Sequence, residues 1–215
     1  MNVFNVLYLT VEISSGALKK KKNDWANELR FGSYQDAWQS INQDKTVAYY
    51  LAKADYKDDH GSWGKGFNCL GVLETEKNDD NKSVVSHFVF KRTSSGNTIL
   101  EEREKVRAKK TYDYLTDYKA IEYLPEGGDP ITDSLIYSDE HCDLFYLDYA
   151  NSGKGGVELW VNENRKKKNP SHCGFFFEYF RKGDEVNDLY TEKCTDVKAR
   201  IEELKKQKQA SRMQY

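Results

Sequence analysis

Acidic residues that share a strand face with apolar side chains are the part of this sequence most able to do chemistry. Successive side chains of a β-strand point to opposite faces, so in Val157-Glu-Leu-Trp-Val the carboxylate of Glu158 lies on the side of the Trp160 indole. Two other segments repeat this arrangement, with Asp143 beside Phe145 and Leu147, and Asp133 beside Ile131 and Leu135. A carboxylate is costly to bury unpaired. The pattern therefore indicates either an interior that holds a cation or acids on a solvent face beside exposed rings.

Hydrolytic and metal chemistry find no support in the sequence. The chain has no G-x-S-x-G motif and no clustered serine and histidine, and none of its histidines forms an i, i+4 pair: His60, His87, His141 and His172. Paired acids also serve glycosidases, but the strands are short and the chain is small. We expect no enzyme, no metal and no cofactor.

The cysteines indicate an oxidising compartment. Cys69, Cys142, Cys173 and Cys194 stand far apart with no C-x-x-C spacing, which suits two long-range disulfides. Spacing alone leaves three pairings open. Residues 1–17 contain an apolar stretch followed by small residues and are a possible signal peptide. We expect secretion, mostly because of the cysteines. Asn81-Lys-Ser is a glycosylation sequon.

Composition predicts one domain without a nucleic-acid or membrane partner. The chain has 215 residues and a net charge of -2, and the basic runs Lys19–Lys22 and Arg165–Lys168 are short enough to be solvated loops or tails. No apolar run reaches the roughly 18 residues of a membrane span. After the possible signal peptide, we predict a basic tail at 18–23, the domain at 24–200 and a polar tail at 201–215.

The order of predicted elements favours a closed β-barrel. Asp36–Ile41 reads as a short helix capped by Ser33 or Asp36, and Asp184–Gln209 reads as a C-terminal helix with a polar, partly frayed end. Turn signals separate most of the segments between them, which read as strands: Thr46–Tyr56, Phe67–Glu74, Val84–Lys91, Ile99–Arg107, Ala120–Leu124, Ile131–Tyr137, Asp143–Tyr149 and Gly156–Asn162. We therefore predict an all-β, eight-stranded, antiparallel up-and-down barrel with a short N-terminal helix and a C-terminal helix packed outside.

Several segments together resemble the tick salivary lipocalins known as histamine-binding proteins. The resemblance covers about Asp24 to Cys194 and is carried by these segments: Asp24-Trp, Gln35-Asp-Ala-Trp, Tyr49-Tyr, Ala54-Asp-Tyr-Lys-Asp-Asp, Trp63-Gly, Phe67-Asn-Cys, Glu104-Lys-Val, Tyr137-Ser-Asp, Cys142-Asp and Glu158-Leu-Trp. It implies the lipocalin fold, disulfides Cys69–Cys194 and Cys142–Cys173, and two amine sites in one barrel.

The resemblance also implies which residues form each site. The first amine site falls on Tyr56, Asp59, Glu104, Tyr123, Glu158 and Trp160. The second falls on Ser40, Asp44, Trp63, Phe88, Asp133 and Asp143. Two nearby aromatic positions of the family are Ile121 and Ile131 here, which removes ring faces from the pocket wall.

Three functions follow from this reading. The first is a secreted, monomeric salivary protein that sequesters histamine, or a related amine such as serotonin, and suppresses the host inflammatory response during blood feeding. The second is a lipocalin that carries a fatty acid, a leukotriene or a sterol. The acids in both expected sites argue against this function. The third is a protein that binds a host protein and uses its barrel only as a scaffold.

Overall fold

The computed structural model describes residues 23–59, 61–93, 96, 98–124, 128–164 and 171–212. The predicted signal peptide, Lys19–Lys22 and Arg165–Lys168 lie outside these residues. Within them, no helix is both long and apolar enough to cross a bilayer.

Eight of the strands form a closed antiparallel barrel, as predicted. The strands are β1 (Ala48–Ala54), β2 (Asp58–Asp59), β3 (Gly64–Lys65), β4 (Phe67–Asn78), β5 (Ser83–Arg92), β6 (Leu100–Lys109), β7 (Ala120–Leu124), β8 (Ile131–Ser138), β9 (Cys142–Leu147), β10 (Gly156–Asn162) and β11 (Asn187–Asp188). From β4 to β10 each barrel strand pairs with the next, and β1 closes the barrel by pairing with both β4 and β10. Strands β2 and β3 form a separate small hairpin, and β11 adds to β1.

Short and long helices cover the barrel. They are α1 (Glu28–Phe31), α2 (Ala37–Ile41), α3 (Ala150–Gly153), α4 (Ser171–Phe180) and α5 (Thr195–Arg212), with a 3-10 turn at Gly32–Tyr34. The α2 helix begins where the Asp36 carboxylate accepts hydrogen bonds from the backbone N–H groups of Trp38 and Gln39. Trp38 and Ile41 then pack into the interior core, so α2 plugs one end of the barrel.

Strand alternation separates the interior from two outer clusters. In β10, Trp160 belongs to the interior cluster, whereas Val157, Leu159 and Val161 pack outward with Phe177 of α4. On another part of the outer surface, Tyr50 of β1 and Val89 of β5 pack with Val197 and Ile201 of α5. These strands are buried on both sides. Their outer faces carry apolar residues, whereas their inner faces carry both apolar and polar residues.

The two disulfides fasten the outer helices to the barrel. Cys69 of β4 is joined to Cys194, immediately before α5, and Cys142 of β9 is joined to Cys173 of α4. This confirms the pairing that the resemblance implied.

Two helix predictions differ from the structure. The predicted helix from Asp184 is wrong over its first part, because residues before Thr195 form β11 and a connection rather than helix. The α4 helix was not predicted, because its run of aromatic residues has no helical polar face. The α5 helix continues past residue 200, where the predicted domain ends, and Ile201 is fully buried.

Candidate functional site

The barrel interior combines aromatic rings with carboxylates. Alternation from Glu158 and Trp160 along β10, and pairing with β9 and β8, places the acids Asp143 and Asp133 on the inner side with Phe145 and Leu135. All three acids are at most 3% exposed. The sequence pattern that motivated a cation-binding interior is therefore present on the inner wall rather than on a solvent face.

One group of acids lies at the barrel end formed by the β1–β4 and β9–β10 connections. We call Tyr56, Asp59, Asp133, Tyr149 and Glu158 the inner acidic cluster. Tyr56 Oη donates a hydrogen bond to Glu158 Oε1, and Trp160 Nε1 donates to Glu158 Oε2 at 2.8 Å. Tyr149 Oη donates to Asp133 Oδ1 at 3.0 Å. Neutral donors thus surround both carboxylates.

Burial and mutual repulsion make these acids hold protons tightly. Burial is the main cause that raises the pKa of Glu158 to about 7, and the charge of Asp59 adds to it. Burial also raises the pKa of Asp133 well above its ordinary value, and the charges of Glu158 and Asp59 act in the same direction. A positively charged ligand would stabilise the ionised carboxylates and so offset both burial and their mutual repulsion.

Asp59 reaches the cluster from a tight loop. It ends β2, and its Oδ1 accepts the backbone N–H groups of Gly61 at 2.8 Å and Ser62 at 3.0 Å. A Cβ at Gly61 would lie 2.6 Å from the Tyr149 ring. The loop backbone therefore rests against Tyr149, and glycine permits that approach.

Three rings pack against one another in tilted and edge-to-face arrangements across the middle of the interior. The Trp63 ring lies 4.6 Å from that of Phe88 and 6.4 Å from that of Tyr123, and the last two are 6.1 Å apart. Burial raises the pKa of the Tyr123 hydroxyl. The charges of four nearby acids act in the same direction: Asp133, Glu158, Glu104 and Glu74. This ring layer lies between the inner acidic cluster and a second polar region beneath α2.

The second region contains a small cavity. Its free volume is about 40 Å³, which holds a few water molecules. It is lined by Ser40, Ile41, Gln43, Val47, Tyr49, Val72, Glu74, Ser86, Phe88, Val106, Ile121, Tyr123, Asp143, Phe145 and Trp160.

Two buried carboxylates face this cavity. Gln43 Nε2 donates to Asp143 Oδ2 at 3.3 Å, and Ser86 Oγ donates to Glu74 Oε2 at 2.8 Å. Burial raises the pKa of each acid to about 7, while the hydroxyl of Ser40 beside Asp143 opposes the increase. The cavity is thus acidic on two walls and aromatic between them.

The residues expected at the two amine sites are regrouped in space. From the first set, Tyr56, Asp59 and Glu158 lie in the inner acidic cluster, whereas Tyr123 and Trp160 line the cavity. From the second set, Ser40, Phe88 and Asp143 line the cavity, Asp133 lies in the cluster, and Trp63 is in the ring layer.

Glu104 and Asp44 stand apart from both groups. Glu104 is half-buried on the inner side of β6 opposite Ser86, and burial and Glu102 raise its pKa. Asp44 is exposed, and its Oδ1 accepts hydrogen bonds from Thr46 N and Thr46 Oγ1, both at 2.8 Å. The structure places Asp44 in a turn before β1 and not in the interior.

Sequence reasoning missed Tyr149, Glu74, Gln43 and Ser86. A signal for Tyr149 was available, because it follows Asp143, Phe145 and Leu147 at alternate positions. Glu74 is the last residue of its predicted strand, so strand alternation did not indicate whether its side chain faces the interior. Gln43 lies in a loop after α2, where alternation gives no information.

One further group of metal-type ligands occurs outside the barrel. Asp139, Cys142, His172 and Cys173 bring ligand atoms within 4.8 Å of one another. The two cysteines form a disulfide, so their sulfurs are not thiolates, and His172 Nε2 lies 2.7 Å from Asp139 Oδ2.

Comparison with known proteins gives a consistent result over most of the chain. Residues 25–196 match the family described as tick histamine binding protein. The male-specific histamine-binding salivary protein of Rhipicephalus appendiculatus is 36% identical over 174 residues, which are 78% of this chain and 84% of that protein. The female-specific histamine-binding protein 1 of the same tick is 32% identical over 190 residues, 88% of this chain and 97% of that protein.

Among solved structures, Japanin from Rhipicephalus appendiculatus bound to cholesterol aligns with a TM-score of 0.48 and 13% identity, covering 69% of this chain and 95% of Japanin. The family match and the two relatives confirm the resemblance seen in the sequence. They concern binding proteins and not enzymes. This chain belongs to the tick histamine-binding protein family.

Proposed function

We propose that this protein is a secreted, monomeric amine scavenger that binds histamine, or a related amine such as serotonin, in two acidic, aromatic-lined sites within its barrel. By lowering free amine at the feeding site, it suppresses the inflammatory response of the host. Membership of the family and the names of the two relatives support histamine as the ligand class.

The observation that carries this proposal is a set of buried acids without basic partners. Among the ion pairs of the described residues, none involves Asp133, Asp143 or Glu158. A buried carboxylate normally has a cationic partner or is neutral. An ammonium ligand would supply that partner.

A biogenic amine matches this interior at both of its ends. Its primary ammonium resembles that of lysine, with a pKa of roughly 10.4, and is charged at blood pH. Carboxylates form charge-assisted hydrogen bonds to it, and indole or phenol faces add a cation–π attraction of up to about 2 kcal/mol. The ring of the amine would pack against Trp160 and Tyr123.

We assign one amine to each polar region. The first site consists of the inner acidic cluster with Trp160 at its edge, and the second is the cavity beneath α2 with Ser40 and Asp143 in its wall. The cavity is small, so a ring-bearing amine enters only if lining side chains move apart. We propose that the side chain of Glu104 also moves when ligand binds and then joins the first site.

Features of the chain also support an extracellular location. Both disulfides are of the long-range kind found in secreted proteins, and one relative is named as a salivary protein. Asn81 is exposed in the β4–β5 hairpin, and its Oδ1 accepts a hydrogen bond from Ser83 Oγ at 2.5 Å. We propose that this sequon carries a glycan.

Calorimetric titration of the oxidised protein tests the function. We expect histamine to bind with a stoichiometry near two per chain, and serotonin to compete for at least one site. A fatty acid, a leukotriene and cholesterol should give no heat and should not displace histamine. Tight binding of one of these apolar ligands, with none of histamine or serotonin, would overturn the proposal.

A further inference from the structure

Glu74 is a buried acid that neither of the expected amine sites includes. It lies on the inner side of β4, paired in register with Ser86 of β5, and is 9% exposed. It lines the cavity beneath α2, and the Ser86 hydroxyl is the donor to its carboxylate. One hydroxyl donor does not neutralise a buried charge.

Asp143 faces the same cavity with unused hydrogen-bonding capacity. It is 3% exposed, and Gln43 donates to its Oδ2 at 3.3 Å. The hydroxyls of Ser138 and Ser40 lie near enough to lower its pKa, but its buried Oδ1 has no well-oriented hydrogen-bond partner among the described residues. A buried acceptor of this kind is rare in folded proteins and usually marks a place for a water, an ion or a ligand.

The two acids lie on different walls of the barrel. Strands β1 and β10 separate β4 from β9 on one side, and β5 to β8 separate them on the other. The rings of Phe88, Tyr123 and Trp160 line the cavity between them. An acceptor on each wall with rings between suits a flat ligand that has a donor at each end.

Nearby lysines do not fill this role. Lys77 Nζ donates to the Gln43 carbonyl, and Lys208 Nζ donates to the backbone oxygen of Glu74 at 3.0 Å. Both charges lower the pKa of Glu74, and the Ser86 hydroxyl contacts its carboxylate at 2.8 Å. The Glu74 carboxylate is available to a ligand in the cavity.

We infer that Glu74 and Asp143 hold the two ends of one small aromatic amine that carries a second hydrogen-bond donor on its ring. This inference rests on the proposed function and adds Glu74 as a ligand-binding residue. It also states that the site selects amines that can donate hydrogen bonds at both ends, which we call two-ended recognition. Histamine has such a donor in its imidazole N–H and serotonin in its hydroxyl. Phenethylamine has an ammonium but no ring donor.

The test compares Glu74→Gln and Asp143→Asn with the wild type by calorimetry, using histamine and phenethylamine as ligands. Each variant should weaken histamine binding at one of two sites by about 10-fold or more, because a charge-assisted hydrogen bond is lost. Only one of the two variants should weaken phenethylamine, because that ligand engages a single acid.

Glu76→Gln is the matched control. Glu76 is on the same strand but is exposed and pairs with Arg103 at 3.0 Å, so its titrations should match the wild type. Thermal unfolding of each oxidised variant establishes that the fold is retained. Since Glu74→Gln removes a buried charge and keeps the side-chain shape, we expect it to fold.

The outcomes separate this inference from the function beneath it. If the wild type binds histamine and Glu74→Gln binds it equally well at both sites, the role of Glu74 is refuted and the amine-binding function stands. If both variants weaken phenethylamine, two-ended recognition is refuted. If the wild type binds no amine, the proposed function fails and this inference fails with it.

Discussion

At the scale of single residues, Glu158 shows why a carboxylate inside this barrel is suited to a cationic guest. Its two oxygens accept hydrogen bonds from Tyr56 and Trp160, and both donors are neutral. They lower the pKa of the carboxylate but bring no positive charge, so burial and the charge of Asp59 still raise that pKa to about 7. An ammonium adds the charge that these neighbours cannot supply.

Replacement of Glu158 with glutamine should separate binding from stability. We expect histamine affinity at the inner acidic cluster to fall by about 10- to 100-fold, the loss of a charge-assisted hydrogen bond. We expect no loss in the free energy of unfolding at pH 8, because a buried charge disappears. Calorimetry and urea unfolding measure the two quantities.

Glu178→Gln provides the comparison for this variant. Glu178 is exposed on α4 and pairs with Arg181 at 2.7 Å, so its loss should change stability by less than about 1 kcal/mol and leave histamine binding unaltered. Wild-type affinity in Glu158→Gln would mean that this acid is structural and would remove the inner acidic cluster from the site.

At the scale of elements, the strands were the predictable part of the fold. Alternation in β8, β9 and β10 identified which acids face inward, because one residue of slip would have moved every side chain to the other face. The same signal could not say which inward acids meet. Asp133 and Asp143 were expected in one site, but they lie at different levels of adjacent strands and separate into the cluster and the cavity.

The helices and loops were less predictable because distant contacts determine them. In α4, Phe175, Phe176 and Tyr179 favour a strand by intrinsic preference, and the helix is fixed by the disulfide of Cys173 and the burial of Phe177 against the barrel. Asp59 enters the site from a loop held by Gly61 against a distant tyrosine. Neither contact leaves a periodic trace in the sequence.

The packing of α5 on the barrel depends on one glycine. A Cβ at Gly71 would lie 2.5 Å from Ile201 Cδ1 and 2.8 Å from the Tyr50 ring. We therefore expect Gly71→Ala to lower the free energy of unfolding by about 1–3 kcal/mol through overpacking, as measured by urea unfolding of the oxidised protein.

Gly174→Ala in α4 is the control for backbone effects. A Cβ there meets nothing within 4 Å among the described residues, and alanine favours a helix interior by about 1 kcal/mol over glycine. Gly174→Ala should match or exceed the wild type in stability. Equal stability of Gly71→Ala and the wild type would show that α5 is not held closely against β4.

At the scale of the whole molecule, the inward acids oppose folding of the empty barrel. Burial raises the pKa of Glu74, Asp143 and Glu158 to about 7, and it raises the pKa of Asp133 well above its ordinary value. In the unfolded chain the corresponding values are roughly 3.9 to 4.3. Between these limits the folded state binds more protons than the unfolded state. The free energy of unfolding of the empty protein should therefore rise as the pH falls from 8 to about 5.

Titratable groups outside the interior change the free energy of unfolding in the opposite direction or at a different pH. Backbone and side-chain hydrogen bonds of Thr116 and neighbouring residues lower the pKa of Glu28 to about 2, so its contribution is present above its unfolded value and is lost only below about pH 4. Burial lowers the pKa of His87, which costs stability as the pH falls through about 6.5. This one histidine opposes several buried acids, and we expect the acids to dominate.

Amine binding should have the opposite dependence on pH. The acids hold an ammonium only when they are ionised, so histamine affinity should fall over the same range, from pH 8 to about 5, in which the empty barrel becomes more stable. Binding at pH 6.5 should also release protons, which calorimetry detects as a dependence of the heat on the ionisation enthalpy of the buffer. Stability and affinity that rise and fall together, or an affinity that is constant over this range, would show that the buried carboxylates are not what holds the ligand.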